Sequence, residues 1–320
     1  VYAEYVDGGY PDSYLLDGIM TIEEVQALFV GGAEPVAEEP VVEGTPFTIG
    51  ISNPFITSEY RTQMIDDLEV TNEEYMAMGL TTDLVIESEN TDVAGQLQQI
   101  ENLMNQGVDA ILVNPGDAVA LNQILEEAVQ AGIIVISIDQ EIEAEGVVNV
   151  GHDQKEWAKS SAAWFADELQ EGDVVLIEGF IGHPANEYRM SGVDEVFADY
   201  PGINVLASET GSWDEATGQQ VMADFLAAYP DLDGYWTQDG MAIGAMEAVK
   251  AAGLDEYPLG VGEGRVKFLK LWKEALDENP EFKSFAVANA PGVAATGLRI
   301  MMELLQGKEL KESSLGGQFG

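Results

Sequence analysis

From Phe47 to the C-terminus, short apolar, β-branched runs alternate with longer amphipathic stretches, and this alternation constrains the fold more than any other feature. The runs fall at 47–52, 84–88, 109–113, 133–138, 173–178, 203–207, 233–237, 257–261 and 283–288. Strands joined by helices of a dozen or so residues return in the same direction, which gives right-handed βαβ crossovers and parallel sheets. Helix signals lie between them. Asp92 opens a helix with Leu97, Ile100, Leu103 and Met104 inward and Gly107 closing it; Asp214 opens another with Val221, Phe225 and Leu226. The tract VVNVGHDQ, 147–154, holds a short strand that runs into a polar helix start at Asp153, which suits a passage from one lobe to the next. Two lobes of about five such units each account for 320 residues.

Three of the runs stop on a polar side chain: FTIGIS before Asn53, AILV before Asn114, and IIVISI before Asp139. The carboxyl edge of a parallel sheet is where open α/β folds bind small molecules. A carboxylate and two amides suit a ligand made mostly of hydroxyl groups, which donate and accept together. The second half repeats the pattern, with Asp239 after DGYWTQ, Glu263 after YPLGVG and Asn289 after FAVA. Arg189 lies in the helix-like stretch NEYRMSGVDEVF; its fork matches vicinal hydroxyls or a carboxylate, and an internal ion pair is the alternative. Phe55 and Trp213 occupy loop positions where a flat ring can cover the C–H face of a sugar, with core packing as the alternative for either. Trp236, inside a strand, reads as core.

Composition narrows the chemistry. With 58 acidic residues against 13 basic ones, the net charge of −45 repels phosphate backbones and argues against nucleic acid as a partner. The plain reading is a solvated acidic coat. Cysteine is absent, so disulfides, thiolate zinc sites and cysteine nucleophiles are excluded. There is no Walker A loop and no Gly-x-Ser-x-Gly elbow, and neither His152 nor His183 sits in a catalytic motif. The run Gly260-Val261-Gly262-Glu263-Gly264 lacks the spacing of a dinucleotide fingerprint, and His152-Asp153 has no distant third ligand for a metal. No cofactor is implied. No stretch of about 18 uncharged apolar residues occurs, and a start at Val1 fits a processed chain whose export signal has been removed.

Residues 31–46, rich in Gly, Pro and Glu, read as an extended linker. Before them Thr21 and Glu24 form a capping box ahead of Val25, Leu28 and Phe29. Residues 1–45 are therefore expected to be an N-terminal appendage, docked on the main body because so short a helix is marginal alone.

From about residue 46 onward the chain resembles the ribose-binding protein group of type 1 periplasmic solute-binding proteins, the receptors of ABC sugar importers. The likeness is carried, in order and spacing, by Asn53-Pro54-Phe55, Leu112-Val113-Asn114-Pro115, Ile138-Asp139, Arg189 followed by Gly192, Trp213-Asp214, Gln238-Asp239-Gly240, Glu263-Gly264 and Asn289-Ala290-Pro291. It implies an α/β fold of two Rossmann-like lobes with parallel sheets, joined by a three-segment hinge with crossings near 150–153, 287–290 and 312–315. The N-terminal lobe would comprise 46–150 plus 290–312, and the C-terminal lobe 151–289 plus 313–320. By position, Asn53, Phe55, Asn114 and Asp139, with Gln140 beside it, would face a ligand held between the lobes from the first. Arg189, Trp213, Asp239 and Glu263 would face it from the second, and Asn289 would sit at a crossing.

Ile56 stands where the group usually has a second aromatic, Gln140 where it has an arginine, and Glu263 where it has an aspartate. These departures point to a sugar or polyol other than ribose. The resemblance implies a non-enzymatic, monomeric receptor, exported to the periplasm or the outer face of the cytoplasmic membrane and lipid-anchored before trimming. It would close around one neutral monosaccharide or polyol and deliver it to an ABC permease. The alternatives are a receptor for a sugar-like signal feeding a sensor protein, and a sugar-processing enzyme. Arg265, Lys267, Lys270 and Lys273 crowd into nine positions; local neutralisation of acidic neighbours is the plain reading, a permease-docking patch the other.

Overall fold

The computed structural model describes residues 5–31, 45–56, 59–117 and 119–312. It divides into two compact lobes, an N-terminal one running from Asp17 to His152 and resuming at Ala290, and a C-terminal one made of residues up to Leu16 and Asp153–Asn289. The chain therefore passes between lobes at Leu16–Asp17, His152–Asp153 and Asn289–Ala290. The linker residues 32–44 and the tail 313–320, with most of the crossing expected near 312–315, lie outside the described residues.

In the N-terminal lobe the elements are α1 (Ile22–Gln26), β1 (Ile49–Asn53), α2 (Glu59–Ala77), β2 (Val85–Ser88), α3 (Val93–Gln106), β3 (Ala110–Val113), α4 (Asn122–Gln130), β4 (Ile134–Ile138), β5 (Val148–Val150) and, after the C-terminal lobe, α10 (Val293–Leu305). The sheet runs β2-β1-β3-β4-β5, all parallel. Alternation along each strand sorts the core into two layers. Ile49, Ile51, Leu112, Ile136 and Ile138 meet Met64 and Leu68 of α2 and Leu298 and Met301 of α10, while Ile111, Val113 and Val135 meet Ile100 and Leu103 of α3 and Leu125 of α4. Asp92 caps α3 through the Gly95 N–H and Gly107 closes it with a left-handed φ of 73°, as the residue pattern implies.

The C-terminal lobe holds α5 (Gln154–Leu169), β6 (Gly172–Glu178), α6 (Pro184–Phe197), β7 (Ile203–Thr210), α7 (Glu215–Ala228), β8 (Gly234–Thr237), α8 (Met241–Ala252), β9 (Leu259–Glu263), α9 (Val266–Glu278) and β10 (Ser284–Val287). Its sheet, β10-β9-β8-β6-β7, is again all parallel. The glycine run in β9 serves packing. A Cβ on Gly260 would fall 2.3 Å from the Tyr235 ring, and one on Gly262 would fall 2.1 Å from the Phe268 ring.

The N-terminal segment is divided between the lobes. Leu15 pairs antiparallel with Arg265; Leu16 N–H donates to Gly264 O, and Val266 and Lys267 N–H donate to Tyr14 O and Asp12 O. Beyond Asp17 the chain belongs to the other lobe. Gly292 N–H donates to Asp17 O, Met20 N–H to Thr296 Oγ1, and Phe29 bridges Leu310. The Thr21–Glu24 capping box is formed, and Val25 and Phe29 are buried in the core against α10. An exposed helix of five residues would not hold; this one is kept by its tertiary contacts.

Candidate functional site

Each lobe gathers polar side chains at the carboxyl edge of its sheet. In the N-terminal lobe, Asn53 ends β1, Asn114 follows β3 and Asp139 follows β4, on strands that are neighbours in the order β1-β3-β4. Arg61, from the first turn of α2, ties two of them together: Nη2 lies 3.3 Å from Asp139 Oδ2 and Nη1 3.4 Å from Asn53 Oδ1. Its guanidinium also lies 5.8 Å from the centre of the Phe55 ring. Tyr60 donates its hydroxyl to Asp139 Oδ1 at 2.9 Å, and Gln140 Nε2 lies 3.2 Å from Asp139 Oδ2. Asn53, Phe55, Asp139 and Gln140 are thus in one contact network, while Asn114 sits apart with its Nδ2 3.3 Å from Met64 Sδ. Asn114 Oδ1 is buried without a hydrogen-bond partner. Phe55 is 43% exposed, too open to be a core residue.

In the C-terminal lobe the organising side chain is Gln238, fully buried just after β8. Its Oε1 accepts from Arg189 Nη1 at 3.0 Å and from the Trp213 indole N–H at 2.8 Å, and its Nε2 donates to Asn186 Oδ1 at 2.9 Å. Arg189, 1% exposed, also pairs with Asp239 Oδ2 at 2.5 Å, donates to Gln154 Oε1 at 2.8 Å and stacks 4.1 Å from the Trp157 ring centre. Arg189, Trp213 and Asp239 therefore form one unit. Glu263, at the end of β9, pairs with Arg265 at 3.0 Å, and a Cβ on Gly240 would sit 3.5 Å from that guanidinium, which places this pair beside Asp239. Asn289 lies at the crossing itself, with Oδ1 buried and unpartnered.

Trp213 is held flat by a contact only glycine permits, since a Cβ on Gly179 would fall 2.2 Å from the indole. Phe180 and His183 meet its ring edge-on at 5.1 and 4.9 Å between centroids. Asp214 next to it is a helix cap, its carboxyl lowered from the usual range by the Thr217 hydroxyl and backbone N–H. Asp139, Trp213 and Asp239 all adopt left-handed torsions, with φ of 68°, 54° and 52°. Only five non-glycine residues do so among those described, and such strain of roughly 1–3 kcal/mol each collects where side chains must be aimed.

Pattern reading overlooked Arg61, Tyr60, Gln154 and Asn186, and it named Gln238 only within a motif and Arg265 only within the basic cluster, without a place for either in the site. The two histidines have structural partners: His183 Nδ1 caps α6 at Ala185 N–H, and His152 Nε2 accepts from Ala290 N–H. The basic cluster is neutralised locally. Lys267 meets Glu215 and Glu247, Lys270 meets Asp12, and Lys273 meets Asp277.

Two lobes, each built on an all-parallel sheet with polar side chains at its carboxyl edge, define the two-lobe α/β class of periplasmic binding proteins. The chain belongs to the family of the periplasmic binding protein domain, whose profile matches residues 49–309. It is 30% identical over 233 residues to a xylitol-binding protein of Mycolicibacterium smegmatis, covering 72% of this chain and 65% of that one. It is 31% identical over 217 residues to a ribose import binding protein of Bacillus subtilis, covering 67% and 69%. The chain thus spans about two thirds of the length of these relatives. Among solved structures, a solute-binding protein of an ABC transporter from Thermobispora bispora aligns with a TM-score of 0.71 at 26% identity, over 82% of this chain and 80% of that one. One from Actinobacillus succinogenes with bound D-allose aligns equally well, at 24% identity over 83% and 93%, and shares the fold.

Proposed function

We propose that this protein is the exported solute receptor of an ABC importer, acting as a monomer, which captures one neutral monosaccharide or polyol and passes it to a membrane permease. One observation carries the reading. Three of the chain's four arginines are set against Asp139, Asp239 and Glu263, the carboxylates that end or follow β4, β8 and β9. In a chain of net charge −45, cations placed there rather than over the surface mark those edges as the sites that need them. Each pair is charge-balanced, so an ionised ligand would meet no complementary excess, whereas hydroxyl groups find donor and acceptor side by side. Phe55 and Trp213 offer faces for the C–H side of a sugar. The names of the relatives, xylitol-binding and ribose import, fall within the same class of ligand.

A ligand held by both sets of residues binds the shut arrangement of the lobes better than the open one, and this difference drives closure. The role is binding without chemistry: the strand-end carboxylates are tied to guanidinium groups, and both histidines are engaged in the backbone. Thermal-shift screening of pentoses, hexoses and polyols tests the proposal, with calorimetry on each hit. Trp213→Ala and Asp139→Ala should each weaken binding by about 2 kcal/mol or more, as central anchors do. A panel that leaves the melting temperature unmoved throughout, or hits whose affinity ignores both substitutions, would reject it.

A further inference from the structure

We infer that Arg61 is the specificity residue of the N-terminal lobe, and that with Asp139 it reads a vicinal diol on the ligand. The inference rests on the sugar-receptor reading above and adds to it a residue and a chemical requirement. Arg61 is the sole lysine or arginine before Lys155. Had it served to neutralise the acidic coat it would stand on the surface among the many carboxylates of that stretch. Instead its side chain is 12% exposed and reaches over the carboxyl edge of the sheet.

The geometry gives the pair a definite task. The fork spans Asn53 and Asp139, which belong to β1 and the loop after β4, and β3 is the strand between those two in the sheet. The contacts with Asp139 and Asn53, at 3.3 and 3.4 Å, are longer than the roughly 2.7–2.9 Å of a tight charge-assisted bond, so ligand oxygens can compete with those two acceptors. Asp139 is fixed by a left-handed backbone and by the Tyr60 hydroxyl on Oδ1, which leaves Oδ2 facing the fork. A planar donor and a carboxylate oxygen held together accept and donate to two adjacent hydroxyls at once. A deoxy analogue lacking one of the two strands a buried partner, and that loss is what discriminates. Gln140 Nε2 touches the same Oδ2, so a guanidinium built at position 140 would reach the same place.

The experiment uses the full chain, the panel of D-ribose, D-allose, xylitol and 2-deoxy-D-ribose, and calorimetry at fixed pH and salt. For a compound that binds the wild type, Arg61→Met should lower affinity roughly tenfold to a hundredfold. Its preference for the full diol over the deoxy sugar should fall towards parity. Arg61→Lys, which keeps the charge in place and so guards against misfolding, should lose the preference although it lacks only the fork. Arg61→Met combined with Gln140→Arg should regain much of both. Unchanged affinity and unchanged diol preference in Arg61→Met or Arg61→Lys would overturn the role of Arg61 while leaving the receptor reading intact. A wild type that binds no member of the wider set of pentoses, hexoses and polyols would overturn the receptor reading and this inference with it.

Discussion

A carboxylate is tolerated inside a fold when a partner offsets its desolvation, and Asp139, Asp239 and Glu263 each have an arginine. Asp67 of α2 does not. It is 8% exposed, its Oδ2 has no hydrogen-bond partner, and burial, with Asp17 and Asp66 nearby, pushes its pKa up to about 7 against a weak opposing bond from Gln63. The folded state therefore keeps a proton that the unfolded chain has lost, and stability falls as pH rises from the ordinary value near 4 through 7. Asp67→Asn should then stabilise by up to about 4 kcal/mol above pH 7 and by almost nothing below pH 4. Urea unfolding at pH 5 and pH 8 measures it; an equal effect at both would show that ionisation is not the cause. Arg61 shows where reading residues in order fails. Nothing in its local pattern distinguishes it from a surface helix residue, and only the fold brings α2 across the strand ends.

Elements were more legible than side-chain partners, because strands and caps are specified by near neighbours. The nine runs and the short strand within 147–154 correspond to β1–β10, and Asp92, Asp153 and Asp214 cap the helices they precede. β9 is shifted as a whole, expected at 257–261 and found at 259–263. Its pairing with β10 and the fit of Gly260 and Gly262 against Tyr235 and Phe268 set that register, and both are tertiary. The close approach of α7 and α8 was likewise hidden. A Cβ on Gly244 would fall 2.0 Å from Glu215 O and 2.6 Å from Gln219 N, so the two backbones meet at that residue. Gly244→Ala should force them apart and cost about 1–3 kcal/mol, more than the gain in helix propensity returns. A melting temperature equal to or above wild type would mean that the interface gives way without strain.

At the scale of the molecule, the unexpected feature is that residues 5–31, outside the matched family region of 49–309, are built into both lobes. Leu16 N–H is bonded to Gly264 and Asp17 O to Gly292, so this crossing has no slack residue between its two anchors. Leu15 is buried in one lobe and Phe29 in the core of the other. If each half is held by its own lobe, the two should fail separately. All five tryptophans, Trp157, Trp164, Trp213, Trp236 and Trp272, lie in the C-terminal lobe, so their fluorescence reports on that lobe alone. Leu15→Ala should lower the midpoint of the fluorescence transition in urea, at a cost of about 2–5 kcal/mol. Phe29→Ala, costing about 3–5 kcal/mol, should leave that transition near wild type and instead bring forward the loss of far-ultraviolet dichroism from the N-terminal lobe. Equal displacement of the fluorescence transition by both would mean that the lobes unfold as one cooperative unit, and that the crossings transmit stability between them.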